Sequence, residues 1–246
     1  MTKLKLENVK SYVEDNIGSF HLTRLENLKG LKLTTILLRK NPYLFKAKNI
    51  LTAHDLVKNL LDAHLSSQEE TIFGEFLEGL SIFICKKVFG GKKSGSVGID
   101  LEFEKDNVIY IVTIKSGPNW GNSSQINKMK DDFRKTKRIL QTNTSKKNIV
   151  AVNGCCYGRD NRPDKGDYLK LCGQRFWEFV SGNSSLYTEI IEPLGHKAKE
   201  KNEEFLLAYS KLINNFTYEF SKDFCVDGMI DWSKLVRYNS SIEKEF

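Results

Sequence analysis

Asp100, Glu102 and Glu104 alternate with Leu101 and Phe103, so an extended chain sets three carboxylates on one face and two apolar side chains on the other. Fourteen residues separate Asp100 from Lys115, which stands at the end of an apolar run, Val108-Ile-Tyr-Ile-Val-Thr-Ile114. A run this rich in β-branched residues suits a central strand, not a solvated edge. Carboxylates beside a lysine at the end of a central strand suit metal-assisted phosphodiester hydrolysis. The acids hold hard divalent cations. The lysine positions or deprotonates the attacking water and offsets charge on the transition state. Upstream, Gly74-Glu-Phe-Leu-Glu78 adds two acids, Glu78 standing 22 residues before Asp100.

The positioning elements follow from periodicity. Residues 9–16 and 24–39 read as helices that Asn41-Pro42 interrupts. Thr52-Ala-His-Asp55 reads as a capping box ahead of Leu56, Leu60 and Leu61. His54 and His64 lie in or beside that helix and read as surface or core histidines, not a metal pair. A separate helix is expected from Ser66-Ser67, with Ile72, Phe73, Phe76, Leu77, Leu80, Phe83 and Ile84 as its stripe. Residues 98–104 and 108–115 pair as a hairpin through Lys105-Asp106-Asn107. A basic helix spans 125–140, with Ile126, Met129, Phe133 and Leu140 inward; a strand spans 148–153. After a polar loop from Tyr157 to Asp167 come a buried helix from Gln174 and a long helix over 197–222. This order predicts a mixed α/β fold, a central β-sheet flanked by helices with helical N-terminal and C-terminal additions. Residues 1–65 are expected as a helical N-terminal region of the same compact unit, and 66–246 as the core with a C-terminal helical region.

The 246 residues carry 38 Lys+Arg against 31 Asp+Glu, a net charge of +7. Between Lys115 and Lys170 stand thirteen basic and five acidic residues, so the whole excess lies in that segment. This distribution points to a polyanion-binding surface, against the plainer alternative of a solvated helix face and loop. Hydrophobic residues at 40% exclude a disordered chain. No apolar run reaches the length of a membrane span, and Met1–Asn16 lacks a signal peptide's apolar stretch. Five cysteines with no CxxC pair argue against a disulfide framework or a standard zinc site. The expectation is a soluble, cytoplasmic protein.

Asp100, the fourteen-residue spacing and Lys115, with the acidic helix upstream, resemble the PD-(D/E)XK nuclease motif. Five segments together resemble the PmeII-type family of type II restriction endonucleases: KNPYLFKAKNI, SSQEETIFGEFLEGL, GIDLEFEKDNVIYIVTIKSGPNWGNSSQI, AVNGCCYGRD and CGQRFWEFVSG. That resemblance covers nearly the whole chain. It implies a restriction-endonuclease-like core and a homodimer that cuts both strands of double-stranded DNA at a short palindromic site with Mg²⁺. It also implies a cognate DNA methyltransferase acting on the same site. Asp100 would bridge metal, Lys115 would be the catalytic lysine, and the Ile114 carbonyl would be a metal ligand. One position departs: Thr113 stands where the family carries an acid two residues before the lysine. Glu78 is the first candidate to supply the missing carboxylate, although the helical wheel sets it away from the stripe centre and Glu75 nearer the edge. Glu102 is second and Asp132 third. Glu75, Glu70 and an inactive site remain.

For DNA contact, the loop 116–124 and the helix start after it offer Asn119, Trp120, Asn122, Ser123, Ser124 and Gln125. A helix N-cap by Ser123 or Ser124 and a buried anchor at Trp120 are the plainer readings. Lys128, Arg134, Lys135 and Arg138 are phosphate candidates, and Arg159, Asn161 and Arg162 are candidates for base readout. Cys155 and Cys156 read as strand-end packing. Two alternatives stand beside the restriction reading: a structure-specific repair or junction nuclease of the same fold, and a catalytically degraded DNA-binding protein.

Overall fold

A computed structural model describes residues 3–143 and 148–242. Lys146 and Lys147, counted in the basic segment, lie outside the described residues. The chain forms two compact units, Met1–Gly18 with Phe73–His196, and Ser19–Ile72 with Lys197–Phe246.

In chain order the elements begin with α1 (Leu6–Lys29), α2 (Leu33–Arg39), α3 (Pro42–Ala47) and α4 (Ala53–Phe89). Then come β1 (Lys92–Lys93), β2 (Leu101–Lys105), β3 (Val108–Lys115), α5 (Ser123–Asn143), β4 (Asn148–Cys155) and β5 (Leu169–Cys172). The chain continues through α6 (Gln174–Ser181), α7 (Leu186–Glu189), α8 (Ile191–Leu194) and α9 (Ala198–Phe224). It closes with β6 (Cys225–Val226), β7 (Met229–Ile230) and α10 (Trp232–Ser240).

The first unit holds a five-stranded mixed sheet in the order β1-β2-β3-β4-β5. The pairs β1–β2 and β2–β3 are antiparallel, while β3–β4 and β4–β5 are parallel. The β2–β3 turn sits on Asp106 and Asn107, both in the left-handed region (φ 52° and 62°), the tight hairpin geometry that short polar residues tolerate. On one face Ile111, Ile149 and Ala151 pack against Met129 and Phe133 of α5. On the other, Phe103 stacks on Phe89 of α4 and on Tyr110, and Phe179 of α6 meets both Phe103 and Tyr110. A strand buried on both sides must be apolar at every position, and β3 is apolar at all but Thr113 and Lys115. In β2, Leu101 and Phe103 are buried while Glu102 is half-buried and Glu104 exposed, the alternation expected. The fold is the mixed α/β class read from the sequence.

The second unit is helical. Leu33, Ile36 and Leu37 of α2, Phe45 of α3 and Leu56, Val57, Leu60 and Leu61 of α4 share one core with Ile213, Phe216 and Phe220 of α9. Thr52 caps α4 as expected, accepting from the Asp55 amide at 3.1 Å and donating to its carboxylate at 2.7 Å. Asn41-Pro42 interrupts the helices as expected, but two other boundaries differ: residues 24–39 divide between α1 and α2, and Ser66 starts no helix. Asn41-Pro42 ends one helix and starts the next: the Asn41 side chain accepts from the amides of Tyr43 and Leu44, with Pro42 in the first turn. No new helix begins at Ser66. The Ser67 hydroxyl donates back to the Ala63 carbonyl at 3.2 Å, and α4 runs through.

Candidate active site

Three elements of the first unit converge where β3 ends. Asp100 sits one residue ahead of β2. Its amide donates to the Val112 carbonyl at 2.9 Å, and its Oδ2 accepts from the Ile114 amide at 2.6 Å. The carboxylate thus replaces a strand partner and is held rigidly. A residue in an extended strand points its N–H and C=O to the same edge, so the Ile114 carbonyl lies on the Asp100 edge of β3. The Lys115 carbonyl points to the other edge, where it accepts from Cys156 at 3.0 Å.

Glu78 approaches from α4. Burial pushes its carboxyl above the ordinary glutamate value, and the Asp100 charge pushes it further; Lys93 and Lys115 pull it back. Its Oε1 lies 3.7 Å from the Lys93 Nζ. Glu78, Asp100 and Lys115 therefore share one electrostatic neighbourhood, although they come from a helix, a loop and a strand. The helical wheel disfavoured Glu78, but α4 is apolar over much of its circumference and no single stripe centre fixes its orientation. Glu75, nearer the stripe edge on the wheel, is exposed, as is Glu70.

The other acids sit differently. Glu102 accepts a short hydrogen bond from the Ser94 hydroxyl, on the side of β1. Asp132 is buried, and its carboxylate packs against Gly98, whose φ of 77° and lack of space both exclude a Cβ. Thr113 is buried; its hydroxyl accepts from Asn153 Nδ2 at 3.1 Å and lies 3.4 Å from the Met129 sulfur.

Asn153 is a residue that the sequence reading left unassigned. Besides reaching Thr113, it accepts from Trp120 Nε1 at 3.1 Å, and the Lys115 Nζ lies 5.4 Å from the centre of the Trp120 ring. A polar residue inside the strand Asn148–Cys155 was the available signal. Trp120 is thus half-buried and anchored to the sheet. The helix cap is Asn122, not Ser123 or Ser124: Asn122 Oδ1 accepts from the Gln125 amide, and Gln125 Oε1 accepts from the Asn122 amide, both at 3.0 Å. Those two side chains are occupied within the chain. Asn119, Ser123, Ser124 and Lys128 are exposed.

Part of the basic segment is spent internally. Arg134 pairs with Asp131 at 2.8 Å and Asp167 at 3.8 Å, and Lys130 with Asp167 at 3.3 Å. Lys128, Lys135, Arg138, Arg159 and Arg162 are exposed with no side-chain partner among the described residues, and Asn161 is exposed. The loop carrying Arg159, Asn161 and Arg162 is organised by Asp160. Its carboxylate accepts from the Arg162 amide at 2.9 Å and the Lys165 ammonium at 3.0 Å, with the Lys170 ammonium 3.9 Å away. Burial raises this carboxyl, but the amide and the two ammoniums outweigh burial and hold it below its ordinary value. Asp160→Asn is expected to cost about 1–2 kcal/mol at neutral pH. Because the folded value is lowered, that contribution is complete above the ordinary carboxylate value and disappears as pH falls through the folded one. Urea midpoints of both proteins, compared from neutral pH into acid, check this. Cys155 and Cys156 are buried thiols pushed upward by burial, Cys155 to about 12.

The donors present are hard oxygens: two partly buried carboxylates that repel each other, and a strand-edge carbonyl. Among the described residues no group of three or more His, Cys, Asp or Glu could hold a metal. Such a set fits a small divalent cation that keeps several waters and takes one or two protein carboxylates, and a cation there relieves the Glu78–Asp100 repulsion. No helix among the described residues is long and apolar enough to cross a membrane.

No curated protein matches the chain. A family match spans residues 7–202, including the hairpin, α4 and the basic loop, and carries the description type II restriction endonuclease EcoO109I. It agrees with the expected class of enzyme and attaches it to a different named group. With most of its length matched, the chain belongs to the EcoO109I family of type II restriction endonucleases.

Proposed function

We propose that this chain is a Mg²⁺-dependent endonuclease that acts as a homodimer and cuts both strands of duplex DNA at a short palindromic site. The PD-(D/E)XK description and a kinship with PmeII-type enzymes, supported by the five segments quoted above, belong to the same proposal. So does a cognate methyltransferase that protects the site. The observation that carries it is the Asp100 carboxylate held on the Ile114 amide at 2.6 Å, directly before Lys115, with Glu78 near enough for both charges to act on its carboxyl.

Asp100, Glu78 and the Ile114 carbonyl would hold the ion, which when bound supplies Lewis acidity and positive charge beside the scissile phosphate. Asp100 is preorganised for this by the Ile114 amide. Lys115 orients the attacking water and offsets the negative charge that builds on the phosphoryl oxygens. Water adds to phosphorus and the P–O3′ bond breaks, leaving a 3′-hydroxyl and a 5′-phosphate. The exposed cations Lys128, Arg159 and Arg162 serve the phosphate backbone and the bases. Asn119, Ser123 and Ser124 are exposed in and just after the loop that follows β3.

Digestion of a fully sequenced plasmid with Mg²⁺, followed by end-mapping, tests this. Discrete fragments with 5′-phosphate ends at one repeated sequence are expected. Nicking that follows DNA structure would replace the proposal with a repair or junction nuclease. Binding without any cutting would replace it with a degraded DNA-binding protein.

A further inference from the structure

The helical unit contains a cavity of about 320 Å³ that the nuclease site does not use. Asn27 of α1, Arg39 and Lys40 at the end of α2, and His64, Ser67 and Gln68 of α4 line it. No carboxylate lines it among the described residues, although the chain carries 31 Asp+Glu. His64 is 6% exposed, yet its Nε2 has no hydrogen-bond partner, and neither has the buried Oε1 of Gln68. Arg39 and Asn27 also lack a side-chain partner among the described residues. Lys40 is anchored by donating to the Ala63 carbonyl at 2.9 Å, which fixes its charge at the cavity wall. Buried polar groups left unmatched cost stability unless something in the cavity matches them.

We infer that this cavity binds a phosphate group. The lining offers what such a group needs: a guanidinium that presents paired donors, an ammonium, and neutral N–H donors from Asn27 and His64. The Gln68 amide contributes an N–H when turned over. Burial, Lys40 and Arg39 all lower the His64 pKa, so the imidazole is neutral at physiological pH and donates through one nitrogen. The phosphate comes either from a DNA backbone or from a free phosphate compound. The first source rests on the proposed function; the second does not.

The test titrates the full chain with inorganic phosphate and follows the imidazole proton resonances of its four histidines, His64 being assigned by substitution. Two variants accompany it. Arg39→Gln removes an exposed cation without touching the core, and Gln68→Glu places a carboxylate of the same shape in the cavity. Saturable movement of the His64 resonance in the wild type is expected, weakened about tenfold in Arg39→Gln and abolished in Gln68→Glu. Duplex binding by the same three proteins is measured across salt concentrations, with plasmid cleavage by the wild type scored separately. If DNA is the source, both variants bind duplex more weakly, and the salt slope of Arg39→Gln falls by about one. If a free phosphate is the source, duplex binding is unchanged in both variants while phosphate binding is weakened in Arg39→Gln and lost in Gln68→Glu. A His64 resonance that moves with neither phosphate nor duplex would overturn the inference.

Discussion

Lys115→Ala and Asp100→Ala are each expected to slow DNA cleavage by about a thousandfold or more, equivalent to roughly 4 kcal/mol of barrier. The two losses differ in origin. Asp100 is fixed by the Ile114 amide at 2.6 Å, so its removal leaves a strand-edge N–H unmatched and takes away the preorganised anchor of the proposed cation. In the proposed reaction Lys115 contributes charge where the phosphoryl oxygens become more negative, and alanine would leave that charge unopposed. Neither change should greatly weaken DNA binding measured with Ca²⁺, because the exposed cations of α5 and of the 157–167 loop are untouched. Single-turnover cleavage in Mg²⁺ beside equilibrium binding in Ca²⁺ separates the two effects. Substantial cleavage by either variant would remove its residue from the active site. A structural reading of Asp100 is separated by Asp100→Asn. It keeps a side-chain oxygen that can accept from Ile114, but loses the charge a cation requires.

The strands that build this site were legible because burial on both faces writes itself into sequence. β3 runs from Val108 to Lys115 as its apolar run predicts, and the Asp106-Asn107 turn places β2 beside it. Edges and short elements were not legible. β1 and β5 have two and four residues, too few for any period to emerge, and the β6–β7 hairpin is equally short. The Ser66-Ser67 pair looked like a helix start because serine competes for backbone hydrogen bonds. In the structure it satisfies that tendency within the helix. The loop after β3 offered polar groups to DNA, yet Asn122 and Gln125 bond each other and Trp120 bonds Asn153. Sequence shows which groups can donate and accept. It does not show which of them the fold has already matched.

Thr113 poses that problem most sharply, and Glu78→Gln is the variant that addresses it. Threonine cannot neutralise a cation, and its hydroxyl is committed to Asn153 and the Met129 sulfur. In the proposed metal site a second carboxylate would therefore come from another element. Glu78 is the acid on whose carboxyl the charges of both Asp100 and Lys115 act. Glu102 is held by Ser94, and Asp132 is packed against Gly98. Glu78→Gln keeps the size of the side chain and removes its charge. It is expected to lower the cleavage rate about a hundredfold or more at saturating Mg²⁺, and to raise the Mg²⁺ concentration needed for half-maximal rate. The same change relieves the repulsion between Glu78 and Asp100, so the protein without metal should unfold at a slightly higher temperature than the wild type. A merely structural role for Glu78 predicts lower thermal stability and an unchanged Mg²⁺ dependence, so the two readouts move in opposite senses. Glu102→Gln and Asp132→Asn are the comparisons. An unchanged rate in Glu78→Gln, with a large loss in either of them, would move the second carboxylate from α4 to β2 or α5.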